Sequence, residues 1–428
     1  MMRMRIFYWL PVFLLAGIAG RGQVALPAFA LTGVTIVDAN HARALAGQTV
    51  VVRNGKIDKV FADGSQPLPD SVSIIAAKGK WLLPGLIDTH VHMATDPSGT
   101  DNRAATLRVL ERMLYSGITT VRDMAGDART LAGLSRDAWT GDILSPDIHF
   151  SALMAGPEFF RDPRTVSSTV GGISGDMPYM RAVSPTTDLV LAVAEARGTG
   201  ASGIKLYADL DPAMVNKIVA EAKRQGLLVW GHAWLQQANP EDLIKAGVGS
   251  ISHAPLLLHA SRDTVPASWK HGRHSAKFWD DSVRIDPAVF ADMKLHHTIL
   301  DATLSAYASW VKQDSNMLWD YEITKRLAAQ AYKAGVTICA GTDDDQEAFV
   351  QHEMHLLVHD AGLSNFDALV AATRNGALAL GMDAVTGTIE VGKNADLLLV
   401  DKDPLADIDN VNAVWLVVKK GRLFRREQ

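Results

Sequence analysis

The sequence predicts an α/β protein, a (β/α)8 (TIM) barrel carrying a small β-sandwich domain built from both chain ends. Three observations point there. Between residues 82 and 342, eight apolar strand-like runs alternate with amphipathic segments of helical period, as expected of βα units around a parallel sheet. Short β-rich runs occupy residues 31–81 and return after residue 385. Histidines, a lysine and an aspartate sit where several of the barrel runs end, the end at which barrels carry their chemistry.

Taken in order, the chain divides into residues 1–30, 31–81, 82–384 and 385–428. The first thirty residues have a basic start at Arg3 and Arg5, an apolar run from Ile6 to Gly20 interrupted by Pro11, and a small-x-small site at Ala28-Phe29-Ala30. That is the layout of a secretory signal peptide. The apolar run is too short for a comfortable membrane span. We therefore expect a periplasmic or secreted protein without stable membrane insertion, its mature chain starting near Leu31. An uncleaved interfacial anchor is the alternative, and the lack of a cysteine close behind the run excludes a lipoprotein anchor.

Residues 31–81 read as strands over Leu31–Asp38, Thr49–Arg53, Lys56–Phe61 and Ser73–Ala76, with Asn54-Gly55 as a hairpin turn. The barrel strands are expected at Gly85–His90, Gly117–Met124, Asp147–Ala152, Gly203–Tyr207, Leu227–His232, Ser250–His253, Thr298–Leu304 and Val336–Thr342. Two helices are well punctuated, one between Asp211-Pro212 and Gly226, the next between Asn239-Pro240 and Gly247. Two connections are long, Met154–Pro185 with Phe159 and Phe160, and Leu257–Ile285 with Trp269 and Trp279. Loops of that length after barrel strands are expected to wall a substrate site. The tail returns to short strands between Thr386 and Arg425.

Composition narrows the function. With 428 residues and 48% hydrophobic content, the chain can bury a large core. A net charge of -5 without any block of like charge gives no support to nucleic-acid binding. Cys339 is the sole cysteine, so no intrachain disulfide can form.

The strand ends carry the chemistry. Leu82 to Met93 reads as an apolar strand ending in His90 and His92, which share a face because strand side chains alternate. Strand four supplies Lys205, strand five His232, strand six His253, and strand eight Asp343. Imidazoles and carboxylates are donors for zinc or a similar divalent ion. Each residue alone has a bland explanation: a hydrogen-bonded core histidine, a solvated lysine, a helix-capping aspartate. Six of them in order on five strands are better explained by a shared site.

These motifs, Pro84-Gly85-Leu86-Ile87-Asp88-Thr89-His90-Val91-His92, Gly117-Ile118-Thr119-Thr120-Val121-Arg122-Asp123 and the tail Gly387 to Asp401, resemble the metal-dependent amidohydrolase superfamily. The chain looks like its imidazolonepropionase-like and Xaa-Pro-dipeptidase (prolidase)-like branch, and Lys205 points to the two-metal subclass. An ammonium has no lone pair for a metal. The resemblance implies that CO2 carboxylates Lys205 and that the carbamate bridges two divalent ions, zinc foremost. It implies His90, His92 and Asp343 on one ion, His232 and His253 on the other, and a bridging hydroxide as nucleophile. Asp343 is then the catalytic proton carrier. The implied substrate is a small-molecule amide, a dipeptide or N-acyl amino acid, including the ochratoxin-type amide that releases phenylalanine. A cyclic amide, a lactone or a phosphotriester is the alternative. A homo-oligomer is implied as well.

Other residues are weighed beside this set. Tyr207 could donate to substrate or be a rim aromatic. Trp230 shares the parity of His232 but suits the core. Arg122 and Asp123 suit a structural ion pair near the site. His352, His355 and His359 fall on one helical face. His352 could stand behind the site, but the spacing is not that of a helical zinc-protease motif. Arg164, Arg181 or Arg273 could bind a substrate carboxylate, and nothing in the sequence selects among them.

Overall fold

The computed structural model describes residues 28–94, 102–260, 285–343 and 349–425. The eight barrel strands form as expected: β1 (Leu86–Val91), β2 (Ile118–Asp123), β3 (Asp147–Ala155), β4 (Gly203–Leu206), β5 (Leu228–His232), β6 (Ser250–Ser252), β7 (Ile299–Asp301) and β8 (Ile338–Cys339). Each pairs in parallel with the next, through registers such as Val121↔Ile148, Lys205↔Trp230 and Ile251↔Leu300. Because β8 is short, the barrel is nearly closed by hydrogen bonds beyond its end. Thr89 N–H donates to the Ala340 carbonyl at 2.9 Å, and Asp343 N–H to the His90 carbonyl at 2.8 Å.

The connections follow their punctuation. The helix Pro212–Gln225 starts behind Asp211, whose side chain accepts from Met214 N–H. The helix Pro240–Ala246 starts with a capping box between Asn239 and Asp242. The long connection after β3 contains short helical turns at Pro157–Arg161 and Pro163–Ser167 and a small hairpin, Asp176–Met177 with Met180–Ala182. Much of the second long connection, including Trp269, Arg273 and Trp279, lies outside the described residues.

Both chain ends build one continuous sheet of eight strands. Phe29–Ile36, Leu45–Arg53 and Lys56–Ala62 come from the start, while Leu397–Val400, Val414–Lys419 and Arg422–Phe424 come from the end. At the hairpin, Asn54 and Gly55 take φ of 51° and 76°, the doubly left-handed turn that matches strand twist. Leu31, Val50, Val52 and Ile57 share one apolar core with Leu397, Leu399, Leu416 and Val418. The sheet is tied to the foot of β3 by Lys419, whose buried ammonium lies 2.8 Å from an Asp147 oxygen.

Two boundaries differ from the sequence reading. Leu82 to Met93 is not one strand. Trp81–Pro84 belongs to the small sheet, pairing Leu397↔Pro84, and the barrel starts at Leu86. Gly85 is the crossing point, where a Cβ would fall 2.3 Å from Thr119 Oγ1. Only glycine permits that approach. Apolar character runs unbroken through this point, so periodicity could not reveal the break. At the N-terminus, Phe29 and Ala30 are buried in the first described strand, paired with Val52 and Val51, so that strand starts two residues before Leu31.

The barrel interior corrects one pairing. Arg122 is fully buried, but its guanidinium does not pair with Asp123. It lies 4.7 Å from the ring centroid of Trp230, donates to Ser250 Oγ at 3.0 Å, and approaches Asp301 at 3.7 Å. Neighbours on a strand point to opposite faces, which separates Arg122 from Asp123. Trp230 is core, its indole N–H donating to the Ala379 carbonyl at 2.9 Å.

Candidate metal centre and active site

The six predicted ligands converge at the C-terminal mouth of the barrel. Lys205 Nζ lies 3.4 Å from His90 Nε2. Asp343 places Oδ1 3.4 Å from His90 Nε2 and 3.1 Å from His92 Nε2, and Oδ2 3.8 Å from His253 Nδ1. The rings of His232 and His253 sit 4.3 Å apart. Tyr207 covers them, 4.0 Å from the His232 ring and stacked on Phe159 at 4.3 Å.

Backbone geometry delivers these side chains. His253, Thr303 and Asp343 follow β6, β7 and β8, and all adopt left-handed φ, at 74°, 54° and 48°. That conformation costs a non-glycine residue on the order of 1–3 kcal/mol and clusters at functional sites. It turns the chain sharply where each strand ends. Thr303 Oγ1 then meets His253 Nδ1 at 3.0 Å.

Burial sets the charge states. It pushes His90 down, His253 down to about 3 and His232 well below the usual imidazole range, so these rings are neutral with lone pairs to donate. Burial opposes a charge on His92 too, but the Asp343 carboxylate outweighs it and raises His92. Burial also works against ionised Asp343, yet His90, His92 and His253 hold its carboxyl well below the usual range. Lys205 is lowered to about 8 by burial.

This donor set fits divalent metal. His90, His253 and Asp343 each offer a donor atom within 4.8 Å of the others. His232 Nδ1 is buried without a hydrogen-bond partner among the described residues, a costly state that a metal bond would relieve. The tight group crosses the division implied by the resemblance, for it joins His253 to His90 and Asp343. His92 lies against Asp343 and His232 against His253.

Residues 81–424 match the Amidohydrolase family model. The chain belongs to the amidohydrolase family. Ochratoxinase from Aspergillus niger is 26% identical over 397 residues, covering 80% of this chain and 75% of that one. Imidazolonepropionase from Thermoplasma volcanium is 22% identical over 401 residues, covering 88% and 90%. A crystal structure of a Xaa-Pro dipeptidase with bound methionine superposes with a TM-score of 0.77 at 21% identity, covering 93% and 100%. This amidohydrolase is thus a metal-dependent hydrolase of amide-type carbon–nitrogen bonds, in the superfamily its motifs resemble.

The amidohydrolase also contains supports that the sequence reading missed. Asp301, at the end of β7, accepts from Ser252 Oγ at 2.9 Å and meets His90 Nδ1 at 2.8 Å. A carboxylate behind a ligand histidine fixes its ring and raises its basicity. The signal was faint, since Asp301 falls inside the run Thr298–Leu304 that was read as one strand, whereas the strand itself ends at Asp301. Asp88 accepts from His90 N–H and from Thr342 Oγ1 at 2.8 Å, while burial raises it to about 7. Glu353 accepts from Leu304 and Ser305 N–H at 3.0 and 2.7 Å, steadying the turn behind Thr303.

Two connected chambers lead to the site. The inner one, about 120 Å³, is lined by His92, Lys205, Tyr207, His232, His253 and Asp343. The outer one, about 640 Å³, is walled by Phe159, Trp234, Tyr307, Trp310 and Trp319. Arg164 lines both and places a nitrogen 3.4 Å from Tyr207 Oη. The Asp162 carboxylate holds Arg164 charged. Arg181 is tied to Asp176 and Glu195 instead. Phe160 is core. His352, His355 and His359 lie on the helix Val350–His359, and none lines either chamber.

Proposed function

We propose that this amidohydrolase uses two divalent ions, zinc foremost, to cleave the amide of a dipeptide or N-acyl amino acid, an ochratoxin-type amide included. The carrying observation is that one small chamber collects Lys205, His92, His232, His253 and Asp343 beneath an aromatic-walled antechamber. His90, His92, Asp343, His232 and His253 would hold the ions, with Lys205 bridging as its carbamate. Lysine among imidazoles is otherwise a poor donor, and a carbamate makes it a carboxylate. Bound ions supply a polarised carbonyl and a water of lowered pKa.

The chain's own residues do the rest. Asp343 takes the water's proton on a carboxylate oxygen and returns it to the leaving nitrogen. Arg164 and Tyr207 receive the substrate carboxylate at the neck between the chambers, as charge-assisted pairing favours. Phe159, Trp310 and Trp319 shelter a bulky apolar acyl group or side chain. Ochratoxinase among the relatives supports a bulky amide. We place the enzyme in the periplasm or outside the cell, on the signal-like layout of residues 1–30. Among the described residues no helix is long and apolar enough to cross a membrane.

The test is a screen of purified, metal-loaded protein against dipeptides, N-acyl amino acids and ochratoxin A, read as amino acid released. Release is the expected result. Turnover confined to cyclic amides, lactones or phosphotriesters would overturn the proposal.

A further inference from the structure

We infer a separate metal site outside the barrel mouth, held by His355, His359 and Asp409. It does not depend on the function proposed above. His355 and His359 are four residues apart on the helix Val350–His359, the spacing that stacks side chains on one face. Their ring centroids are 4.3 Å apart. Asp409 comes from the turn Ile408–Asn412, which precedes the sheet strand Val414–Lys419. Its two oxygens lie 2.9 and 3.0 Å from His355 Nδ1. One donor atom from each of the three lies within 4.8 Å of the others.

An ion pair between His355 and Asp409 explains two of these residues. It does not explain why His359 brings a further imidazole to the same place. Exposed pairs of this kind contribute little to stability on their own. Two imidazoles and a carboxylate suit Zn²⁺, Cu²⁺ or Ni²⁺ rather than the oxygen-preferring Mg²⁺ or Ca²⁺. His359 and Asp409 are exposed, which leaves room for water to complete the coordination. His355 and Asp409 also line a cleft of about 520 Å³, giving an ion a path in. A bound ion would staple the helix to the segment leading into the two-ended sheet.

The experiment uses full-length, metal-loaded protein and adds Zn²⁺ in competition with a chromophoric chelator. Wild type should take up one more equivalent than His359→Ala and than Asp409→Asn. Its thermal midpoint should rise with added Zn²⁺ where the variants' does not, and amide turnover should be the same in all three. Because the readout is a difference, it holds whatever number of ions the barrel mouth retains. Equal uptake and equal thermal response in wild type and both variants would overturn the site.

Discussion

The molecule contains two sets of histidines, and they differ in what surrounds them. His90, His92, His232 and His253 stand at or just beyond strand ends inside a barrel mouth, His90 and His253 buried and His92 and His232 half-buried, where neighbouring strands fix their positions. His352, His355 and His359 share the face of one helix at the protein surface, where the Asp409 carboxylate meets His355. The imidazole is the same, but the first set has its desolvation already imposed by the fold and the second does not. Preorganisation on rigid elements with a second layer of support is what makes a site precise. The barrel set should therefore bind metal tightly and support chemistry, and the helix set should bind more weakly and support structure.

Substitutions can break or sharpen that contrast. The largest effect is expected at Asp343. Asp343→Asn should lower kcat by on the order of 10²–10⁴-fold, the range for losing a positioned proton carrier, while the fold and substrate binding persist in a calorimetric titration. Next comes Asp301→Ala. It removes the carboxylate behind His90 without touching substrate, and should weaken metal affinity by about 10–100-fold, read by chelator competition. Among the described residues no carboxylate is hydrogen-bonded behind His359, and His359→Ala should change total metal uptake without changing kcat.

Arg164→Ala tests the neck of the chambers. It should raise KM by roughly tenfold for substrates with a free carboxylate, as loss of a charge-assisted hydrogen bond implies, and leave their carboxyl-amidated counterparts unchanged. Arg164→Lys should rescue only part, because a lysine cannot reproduce the planar fork.

The smallest effect concerns pH and lies between the two histidine sets. Burial raises Glu353 to about 8 from 4.5. Between those values the folded protein holds a proton that the unfolded chain has lost. Stability from this group is therefore full below about pH 4.5 and falls as pH rises through about 8. Glu353→Gln should flatten that slope in denaturant titrations across this window. An unchanged slope would mean that Glu353 is not held protonated.

Much of this was legible in the residues. Eight strand runs were visible because burial on both sides of a parallel sheet leaves near-continuous apolar stretches. The candidate ligands were visible because polar residues at the ends of such stretches stand out. What stayed hidden depended on contacts across the sequence. Gly85 divides an apolar run between two sheets only because Thr119 packs against it. Asp301 matters only because β7 sets it against His90, 211 positions away in the chain. Arg122 looked like the partner of Asp123, but strand parity sends it inward to Asp301 and Trp230. Of the three candidate arginines, Arg164 could be placed at the chambers only once the loop after β3 brought it to Tyr207.

The most direct test of the central claim is a crystal structure of metal-loaded protein, refined with anomalous data at the metal edge. The expected result is two ions about the barrel mouth and branched density extending from Lys205 Nζ between them. A bare Lys205 ammonium directed away from His90, with a lone ion or none, would contradict it.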